Sequence, residues 1–353
     1  MFSVYAEPDL RAERITTFHP QMVQVTYKNE YGWALISTMY GEYWVYLNAN
    51  HIFIDRPTGI FTNQGDTTPI STLSPQTVTA LERNADWLQI GTWLGSMWIY
   101  LNFTPPTNEL DAMLRRFGNN LSVYYKNLDT GFVYRYNADR VYFGASISKA
   151  SFALYIYQMA ERGEIDLDTR LTFTSADQNW GSGIIQNRYT LGTTFTIREL
   201  LRLNLSYSDN VATLMLVRHF GIGSYRQFVA ELGANPARVR SRVMDSDLTA
   251  NDVGIFARAI HEYIESDGRY SEEFKAHLLN NQFPFIVSDY PVASKTGWTA
   301  QRAWHDMAIV YAPSPYILVI MSARDGWTVQ DYRDFAEISM VFQRFNDVWF
   351  VER

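Results

Sequence analysis

The chain contains no cysteine, which excludes disulfide bonds and thiolate sites. It has no apolar run near the roughly 18 residues that a membrane-spanning helix requires. Basic residues are few as well. The 30 of them are outnumbered by 37 acidic residues and form no basic block, so nucleic acid is not expected as a partner. The six histidines show no metal-ligand spacing, and we expect neither a metal nor another cofactor.

A secretory leader is also lacking. Residues 1–7 have neither the basic start nor the apolar core of a signal peptide. Two expectations therefore stay open. Either the protein remains inside the cell, or an export segment was removed before this numbering begins.

What is present is a long chain that is rich in aromatic residues. Its 353 residues favour more than one domain. Hydrophobic residues make up 47% and charged residues 19%, which is usual for a globular protein. Aromatic residues make up 15%, and much of the tryptophan lies early in the chain.

One early segment, Trp33–Asn48, recurs 54 residues later as Trp87–Asn102. Eight of the sixteen aligned positions are identical, which indicates an internal repeat. The identical residues of the first copy are Trp33, Ile36, Thr38, Gly41, Trp44, Tyr46, Leu47 and Asn48. Each copy has β-branched and aromatic residues around a glycine turn, which predicts a small antiparallel barrel of about 50 residues.

Through their endings of the form Gly-x-x-Trp-(Val/Ile), the two copies resemble the bacterial SH3-like (SH3b or GW-type) modules of cell-wall enzymes. The resemblance implies binding to peptidoglycan or another wall polymer. Tyr40, Tyr43 and Trp93 are candidate contacts, because aromatic surfaces suit sugars and peptides. The alternative is a spacer in which the tryptophans only fill two small cores. The modules are predicted at residues 1–50 and 51–104.

Residues 105–353 carry the pattern of an α+β domain. A proline-containing linker, Thr104–Asn108, precedes a helix expected at Glu109–Phe117, with Asn108 as its N-cap. A mainly helical stretch is expected from Ser146 to about residue 282. Strands are predicted at Leu121–Lys126, Gly131–Asn137, Val292–Lys295, His305–Ala312 and Tyr316–Met321, before a last helix at Asp331–Val348. This order predicts an antiparallel sheet covered by terminal helices, with an all-α lobe and a cleft between them.

Ser146 and Lys149 stand at the start of a helical pattern that runs from Ala150 to Arg162. Positions i and i+3 share a helix face, so both side chains can point into one pocket. A poorly solvated lysine loses its proton more easily and can activate a neighbouring hydroxyl. The pair is a candidate nucleophile and base, although the spacing alone also fits a serine N-cap followed by a solvated lysine.

Two further motifs follow in order. Ser208–Asn210 lies between two helical runs, 62 residues after Ser146, and Lys295–Gly297 ends a predicted strand 87 residues further on. The glycine permits close approach of the backbone to a ligand. Two lysines in one cleft repel each other, which favours the neutral and basic form of one of them.

In this order and layout the motifs resemble those of the class A β-lactamase and penicillin-binding superfamily, over the whole of residues 105–353. The resemblance implies that Ser146 is acylated, Lys149 accepts its proton and Ser208 relays a proton to the leaving nitrogen. It further implies that Lys295 and Thr296 bind the substrate carboxylate and that the N–H groups of Ser146 and Trp298 form an oxyanion hole. The implied catalytic residues are Ser146, Lys149, Ser208 and Lys295, and the implied substrate-binding residues are Asn210, Thr296, Gly297 and Trp298. Trp180 and Tyr207 are further candidates to line the cleft, and His305 is expected to pack.

The chain departs from the class A pattern at one point. The resemblance implies a glutamate between the second and third motifs that activates the deacylating water, but Leu232–His261 contains no glutamate. Asp247 is one candidate for a substitute base. The competing expectation is that Asp245 and Asp247 form turns or caps around Thr249.

The sequence thus predicts a serine hydrolase that is acylated by a β-lactam, a D-alanyl peptide or a related amide or ester. It predicts slow deacylation of β-lactams and an extracellular or wall-associated location. Two alternatives stay open: a true class A-like β-lactamase that uses another base, and a catalytically inactive wall-binding or sensor protein.

Overall fold

A computed structural model describes residues 2–8, 12, 14–18, 24–28, 33–38, 41–46, 50–54, 58–66, 69–74, 76–84, 87–100, 105, 107–300, 303–324 and 328–351. The chain divides into two compact units between residues 104 and 105, and each is described by itself. In the part of the chain so described, no helix has both the length and the apolar character needed to cross a membrane.

The described elements of the smaller unit are all β, and they form two antiparallel sheets. The first sheet consists of β1 (Phe2–Tyr5), β2 (Arg14–Phe18), β3 (Gln24–Lys28), β4 (Trp33–Thr38) and β5 (Gly41–Tyr46). The second consists of β6 (Asn50–Ile54), β7 (Thr58–Phe61), β8 (Ser71–Leu73), β9 (Gln76–Asn84), β10 (Trp87–Thr92) and β11 (Gly95–Tyr100).

The two sheets share one strand order. The first runs β2-β1-β5-β4-β3, and the second runs β8-β7-β11-β10-β9 with β6 added beyond β9. Trp33 pairs with Tyr46 across the first hairpin as Trp87 pairs with Tyr100 across the second. In both hairpins the last threonine before the turn donates its hydroxyl to the carbonyl of the glycine after the turn, at 2.9 Å. The repeated segments of the sequence are therefore one hairpin used twice, and the likeness extends to five strands.

Each sheet has its own small apolar core. The buried residues are Val4, Ala34, Ile36 and Val45 in the first sheet, and Ile54, Ile60, Leu73, Val78, Leu88, Ile90 and Ile99 in the second. Trp33 is buried, whereas Trp93 is 58% exposed. Several sequence features lie outside the described residues: the candidate contact Tyr40, the repeat positions Leu47, Asn48, Leu101 and Asn102, and the linker residues Thr104 and Pro106.

The larger unit mixes helices and strands. In chain order its elements are α1 (Asn108–Arg115), β12 (Leu121–Asn127), β13 (Val133–Tyr136), β14 (Tyr142–Phe143), α2 (Lys149–Glu161), β15 (Arg170–Thr172), α3 (Ile185–Arg188), β16 (Thr194–Thr196), α4 (Ile197–Ser206), α5 (Asn210–Phe220), α6 (Gly223–Glu231), β17 (Asp247–Leu248), α7 (Ala250–Ile264), α8 (Ser271–Leu279), β18 (Val292–Thr299), β19 (Ala303–Val310), β20 (Tyr316–Ser322) and α9 (Val329–Asn346), which continues into a π-helical turn, Asp347–Val351.

The main sheet of this unit has the order β13-β12-β20-β19-β18, and all neighbouring strands are antiparallel. Strands from the beginning and the end of the unit therefore share one sheet, and this prediction is confirmed. Strand β20 is buried on both faces. Ile317 and Val319 contribute to a core that includes α2 and α7, while Leu318 and Ile320 pack in a second core with Phe342 of α9. Burial on both faces explains why this strand reads as a continuous apolar run.

Capping boxes fix the start of three helices. The pairs are Thr196 with Glu199 for α4, Thr249 with Asp252 for α7, and Thr328 with Asp331 for α9. In each pair the threonine hydroxyl accepts the N–H of the acidic residue, and the carboxylate accepts the N–H of the threonine. Such a cap typically stabilises a helix by about 1 kcal/mol.

Two details of the sequence prediction are wrong. Helix α1 begins at Asn108 with Thr107 in the N-cap position, so Asn108 is not the cap. Strand β18 continues to Thr299, and Lys295–Gly297 therefore lies inside the strand rather than at its end. The strand is prolonged because its pairing with β19 extends as far as Thr299 and Ala303.

Candidate active site

Ser146 lies in a tight turn just before α2 rather than inside that helix. Residues Ala145–Ser148 form a 3₁₀ turn, and α2 begins at Lys149. Ala145 has a φ of 48°, a left-handed conformation that costs a non-glycine residue about 1–3 kcal/mol. Within the turn Ser146 is half-buried while its three companions are buried. The turn therefore leaves Ser146 as its accessible residue.

The turn is held by the segment that follows α6. The Gly144 N–H donates to the Ser246 carbonyl at 2.8 Å, and the Ser148 hydroxyl donates to the Val243 carbonyl at 2.7 Å. A Cβ on Gly144 would lie 2.9 Å from the backbone carbonyl oxygen of Ser246, so the packing there requires glycine. The stretch that lacks the expected glutamate is thus a wall of the nucleophile turn.

Lys149 is fully buried and joins the first motif to the second. Its Nζ donates to the Ser208 carbonyl at 2.6 Å and to Asn210 Oδ1 at 2.7 Å, and it lies 3.3 Å from Ser208 Oγ. Burial holds the pKa of Lys149 well below its usual range, and the charges of Lys295 and Arg242 lower it further, while Asp209 opposes them. The geometry therefore favours a lysine that can exist as a neutral amine.

The carboxylate of Asp209 fixes the backbone of the second motif. It accepts the N–H groups of Ile184 at 2.6 Å, Ile185 at 2.8 Å and Ala212 at 2.9 Å. Ser208 has a φ of 52°, the second left-handed non-glycine residue of the site. The buried carboxylate thus fixes the backbone that turns Ser208 towards Lys149.

Two glycines allow a neighbouring loop to reach this motif. A Cβ on Gly183 would lie 2.3 Å from Asp209 Cγ, and one on Gly181 would lie 2.8 Å from Asn210 Nδ2. Both residues have a positive φ. Asn210 Nδ2 donates to the carbonyl of Trp180 at 3.2 Å, so the loop also orients the Asn210 amide.

The third motif lies on β18, the strand at the edge of the sheet. Lys295 is fully buried, and its Nζ donates to the Thr296 carbonyl at 2.8 Å. Burial lowers the pKa of Lys295 to about 7, although the charge of Asp306 works against this. Burial likewise raises the pKa of Asp306 to about 7, even though its carboxylate accepts the N–H groups of Phe285 and Ile286.

Gly297 brings the third motif against the first. A Cβ at this position would lie 2.6 Å from the backbone nitrogen of Ile147 and 2.7 Å from the carbonyl oxygen of Gly144. Neither backbone atom can yield as a flexible side chain would. Only glycine therefore lets β18 lie directly beside the turn that carries Ser146, a close approach to protein backbone rather than the approach to a ligand that the sequence suggests.

His305 does more than the packing expected of it. Its Nε2 lies 2.9 Å from the carbonyl of Phe143, and its Nδ1 accepts the N–H of Ser322 at 3.1 Å. Nε2 therefore carries the proton and donates it. Burial lowers the pKa of His305 to about 4, so the ring is neutral at physiological pH. The ring links the sheet to the strand that leads into the nucleophile turn.

The three motifs therefore converge. Lys149 contacts the second motif directly, and the strand of the third motif packs on the first. Of the other candidates, Trp180 is 84% exposed, Tyr207 is half-buried under the guanidinium of Arg202, and Trp298 is half-buried against the core of α9.

Sequence reasoning missed two charged residues at this site. Arg242 acts on the charge of Lys149 from the segment after α6, and Asp306 holds the backbone beside Lys295. Asp306 is visible in the sequence only as the residue after His305, and no sequence signal singles out Arg242. Their role arises from pairings between elements that are distant in the chain.

The acidic residues of the glutamate-free stretch are engaged elsewhere. Asp247 pairs with Arg240, and Asp245 lies 3.4 Å from Arg242. Of the turns or caps expected of these two aspartates, the structure shows Asp245 in a 3₁₀ turn, Val243–Asp245, whereas the capping box at Thr249 is formed by Asp252. Asp252 forms the box because the N-cap Thr249 stands three residues before it, and the Asp252 carboxylate also pairs with Arg238.

Comparison with known proteins identifies the family of this unit. The profile of the beta-lactamase enzyme family matches residues 105–341. A β-lactamase of Bacillus licheniformis is 24% identical over 241 residues, which cover 63% of this chain and 77% of that protein.

Solved structures share the fold of the larger unit. The β-lactamase of Sphaerobacter thermophilus DSM 20745 superposes with a TM-score of 0.60 and 19% identity, over 69% of this chain and 99% of that one. PBP-A superposes with a TM-score of 0.60 and 19% identity, over 69% of this chain and 98% of PBP-A. A mutant of PBP-A, solved as an acyl-enzyme complex with penicillin G, superposes with a TM-score of 0.59 and 20% identity, over 69% of this chain and 100% of the mutant.

The fold and these matches define a serine hydrolase of the β-lactamase and penicillin-binding type. Because the profile covers more than half of its residues, the chain belongs to the beta-lactamase enzyme family.

Proposed function

We propose that the chain is an acyl-transfer enzyme in which Ser146 attacks the carbonyl of a β-lactam, a D-alanyl peptide or a related amide or ester. The observation that carries this proposal is the setting of Lys149. A neutral amine has two hydrogens and one lone pair. The Ser208 carbonyl and Asn210 Oδ1 take the two hydrogens, so the lone pair remains to accept a hydroxyl proton.

The proton then has a short route to the leaving group. Ser146 gives its proton to Lys149 as its Oγ bonds to the carbonyl carbon. Ser208, whose hydroxyl oxygen lies 3.3 Å from Lys149 Nζ, relays a proton to the leaving nitrogen as the carbon–nitrogen bond breaks. The N–H groups of Ser146 and Trp298 would stabilise the oxyanion by about 3 kcal/mol each. Lys295, Thr296 and Gly297 would hold the substrate carboxylate, and Asn210 would hold the side-chain amide.

Deacylation of a β-lactam adduct should be slow. The segment beside the nucleophile turn contains no glutamate. Among its aspartates, Asp247 is paired with Arg240, Asp252 with Thr249 and Arg238, and Asp245 lies beside Arg242. The described part of this segment thus offers no glutamate, and Asp247 and Asp252 are engaged with arginines, so the acyl-enzyme should persist.

Intact-mass spectrometry after mixing with benzylpenicillin tests both statements. We expect one adduct on Ser146 that outlasts the free drug, and no adduct on the Ser146→Ala variant. Rapid multiple turnover would contradict the missing base and favour a true β-lactamase. An intact protein that no acyl donor modifies would favour an inactive sensor.

We further propose that residues 1–104 bind the cell wall through two SH3-like modules, which places the protein outside the cell or on its wall. The repeated five-stranded order, the exposed Trp93 and the half-buried Tyr43 support this reading. Peptidoglycan or another wall polymer would be the ligand. A spacer role is the alternative.

A further inference from the structure

We propose that Arg242 binds a second carboxylate of the substrate, on the acyl side of the scissile bond. This inference rests on the proposed acyl transfer at Ser146 and narrows its substrates to acyl donors that carry an acidic group on that side. No sequence motif includes Arg242.

A line of hydrogen bonds places Arg242 relative to the reaction centre. Lys149 Nζ donates to Asn210 Oδ1 at 2.7 Å, and Asn210 Nδ2 donates to the Trp180 carbonyl at 3.2 Å. The Asn179 amide, oriented so that both its ends have partners, donates to the same carbonyl and accepts from Arg242 Nη2, each at 2.7 Å. The Trp180 carbonyl and the Asn179 side-chain amide therefore link Asn210 to Arg242.

This position is on the acyl side because of the roles assigned to the two neighbouring residues. Lys295 would hold the carboxylate of the leaving portion, and Asn210 would hold the amide of the acyl portion. The hydrogen-bond line runs from Lys149 through Asn210 to Arg242. A ligand group that reaches past Asn210 would meet the guanidinium.

The charges of the site favour an anion there. Lys295 and Arg242 bring two basic groups beside the neutral Lys149, while the buried carboxylates of Asp209 and Asp306 are occupied by backbone N–H groups. Arg242 is 44% exposed, so a ligand can reach it. Its contact with Asp245, at 3.4 Å and 40% exposed, is a weak surface pair that a substrate carboxylate can replace.

Arg242 also has donors to spare. Its Nη2 serves Asn179 and the sulfur of Met244, and its Nε faces Asp245. Nη1 makes no hydrogen bond to the residues that the structure describes. The contact of Nη2 with the Met244 sulfur, at 3.5 Å, is weak, so a carboxylate that replaces it can bind Nη1 and Nη2 together in a planar, two-point arrangement.

Two penicillins that differ by one carboxylate test the inference. Carbenicillin is benzylpenicillin with an added carboxylate on the α-carbon of its acyl side chain. The second-order rate constant of acylation would be measured for each compound by intact-mass spectrometry on the full chain. The result is the ratio of the rate constant for carbenicillin to that for benzylpenicillin. The ratio cancels any effect of a substitution on Lys149, which both compounds require equally.

We expect Arg242→Gln to lower this ratio roughly fivefold and Arg242→Lys to lower it less. Arg240→Gln is the matched control, because Arg240 lies in the same segment but pairs with Asp247, and it should leave the ratio unchanged. For the unsubstituted chain, added salt should lower the carbenicillin rate more than the benzylpenicillin rate.

A ratio that is the same in both arginine variants and in the unsubstituted chain would overturn the inference and leave acyl transfer at Ser146 intact. An equal fall in Arg240→Gln would also overturn it, since the effect would then belong to the segment as a whole. If neither compound acylates the unsubstituted chain, the proposed function fails and the inference fails with it.

Discussion

Two non-glycine residues with a left-handed backbone flank the proposed reaction centre. Ala145 and Ser208 have φ values of 48° and 52°, and each conformation costs about 1–3 kcal/mol. On one side of Ala145, the Gly144 N–H donates to the Ser246 carbonyl, and on the other side Ile147 is buried. Next to Ser208, the Asp209 N–H donates to the Leu203 carbonyl at 3.0 Å. These contacts hold Ser146 and Ser208 in positions that a relaxed backbone would not give them.

The glycine of the third motif provides a steric test. Gly297→Ala would place a methyl group 2.6 Å from the Ile147 nitrogen, so β18 or the nucleophile turn must move. We expect acylation by benzylpenicillin to fall by about a hundredfold, since small misplacements at a reaction centre have effects of this size. Stopped-flow or mass-based acylation rates would measure the fall. Gly223→Ala is the control, because no atom lies within 4 Å of its added Cβ, and it should acylate normally.

The pH dependence of the acylation rate should show the effect of Arg242 on its acid limb. Acylation requires neutral Lys149. Burial and the charges of Lys295 and Arg242 lower the pKa of Lys149, while the charge of Asp209 raises it. Arg242→Gln removes one positive charge, so the pKa of Lys149 rises and less neutral amine is present at a given pH. The acid limb of the benzylpenicillin acylation rate should therefore move to higher pH. An unshifted limb in Arg242→Gln, or an equal shift in Arg240→Gln, would argue against this.

At this scale the sequence predicts the residues that belong to motifs and misses those that act through space. Ser146, Lys149 and Ser208 stand in recognisable spacing, and so do Lys295 and Gly297. Arg242 is missed because its importance depends on a bond to Asn179, 63 residues earlier in the chain.

At the scale of elements, one buried carboxylate holds the start of α5 and the loop before α3 together. Asp209 accepts three backbone N–H groups, and Asp209→Ala would leave all three without a partner. We expect the free energy of unfolding to fall by about 3 kcal/mol, measured by denaturant titration. Asp168→Ala should cost less than about 1 kcal/mol, because Asp168 is 68% exposed in its pair with Arg198. Similar losses from both variants would contradict the role of Asp209.

The sequence predicts which helices and strands are present better than it predicts where each one begins and ends. Apolar runs and turn residues predict the hairpin of β12 and β13 and the strands β18 to β20. The predicted strand ends at Lys295 although β18 continues to Thr299, because Thr296 and Gly297 interrupt the apolar pattern. They belong to the strand only through the pairing with β19, which is a tertiary contact.

For the whole molecule, the division into two units predicts two separable activities. Residues 105–353 alone should be acylated by benzylpenicillin at the rate of the full chain, because all the contacts described at the site lie within that unit. Residues 1–104 alone should sediment with purified peptidoglycan.

Trp93→Ala should weaken sedimentation with peptidoglycan, since Trp93 is 58% exposed and its loss leaves the cores of the sheets intact. Its control is Ile70→Ala, which removes a side chain that is 54% exposed but not aromatic. Sedimentation that neither residue affects would favour another surface, and no sedimentation at all would favour a spacer.

The sharing of one sheet by the two ends of the larger unit has a consequence for synthesis on the ribosome. Strand β12 is made early but pairs with β20, and the turn around Ser146 packs on β18, which is made nearly 150 residues after it. A nascent chain that still lacks its last strands has neither partner. Ribosome-bound chains halted before β18 should therefore fail to react with a fluorescent penicillin, so that chemistry begins only when translation is almost complete.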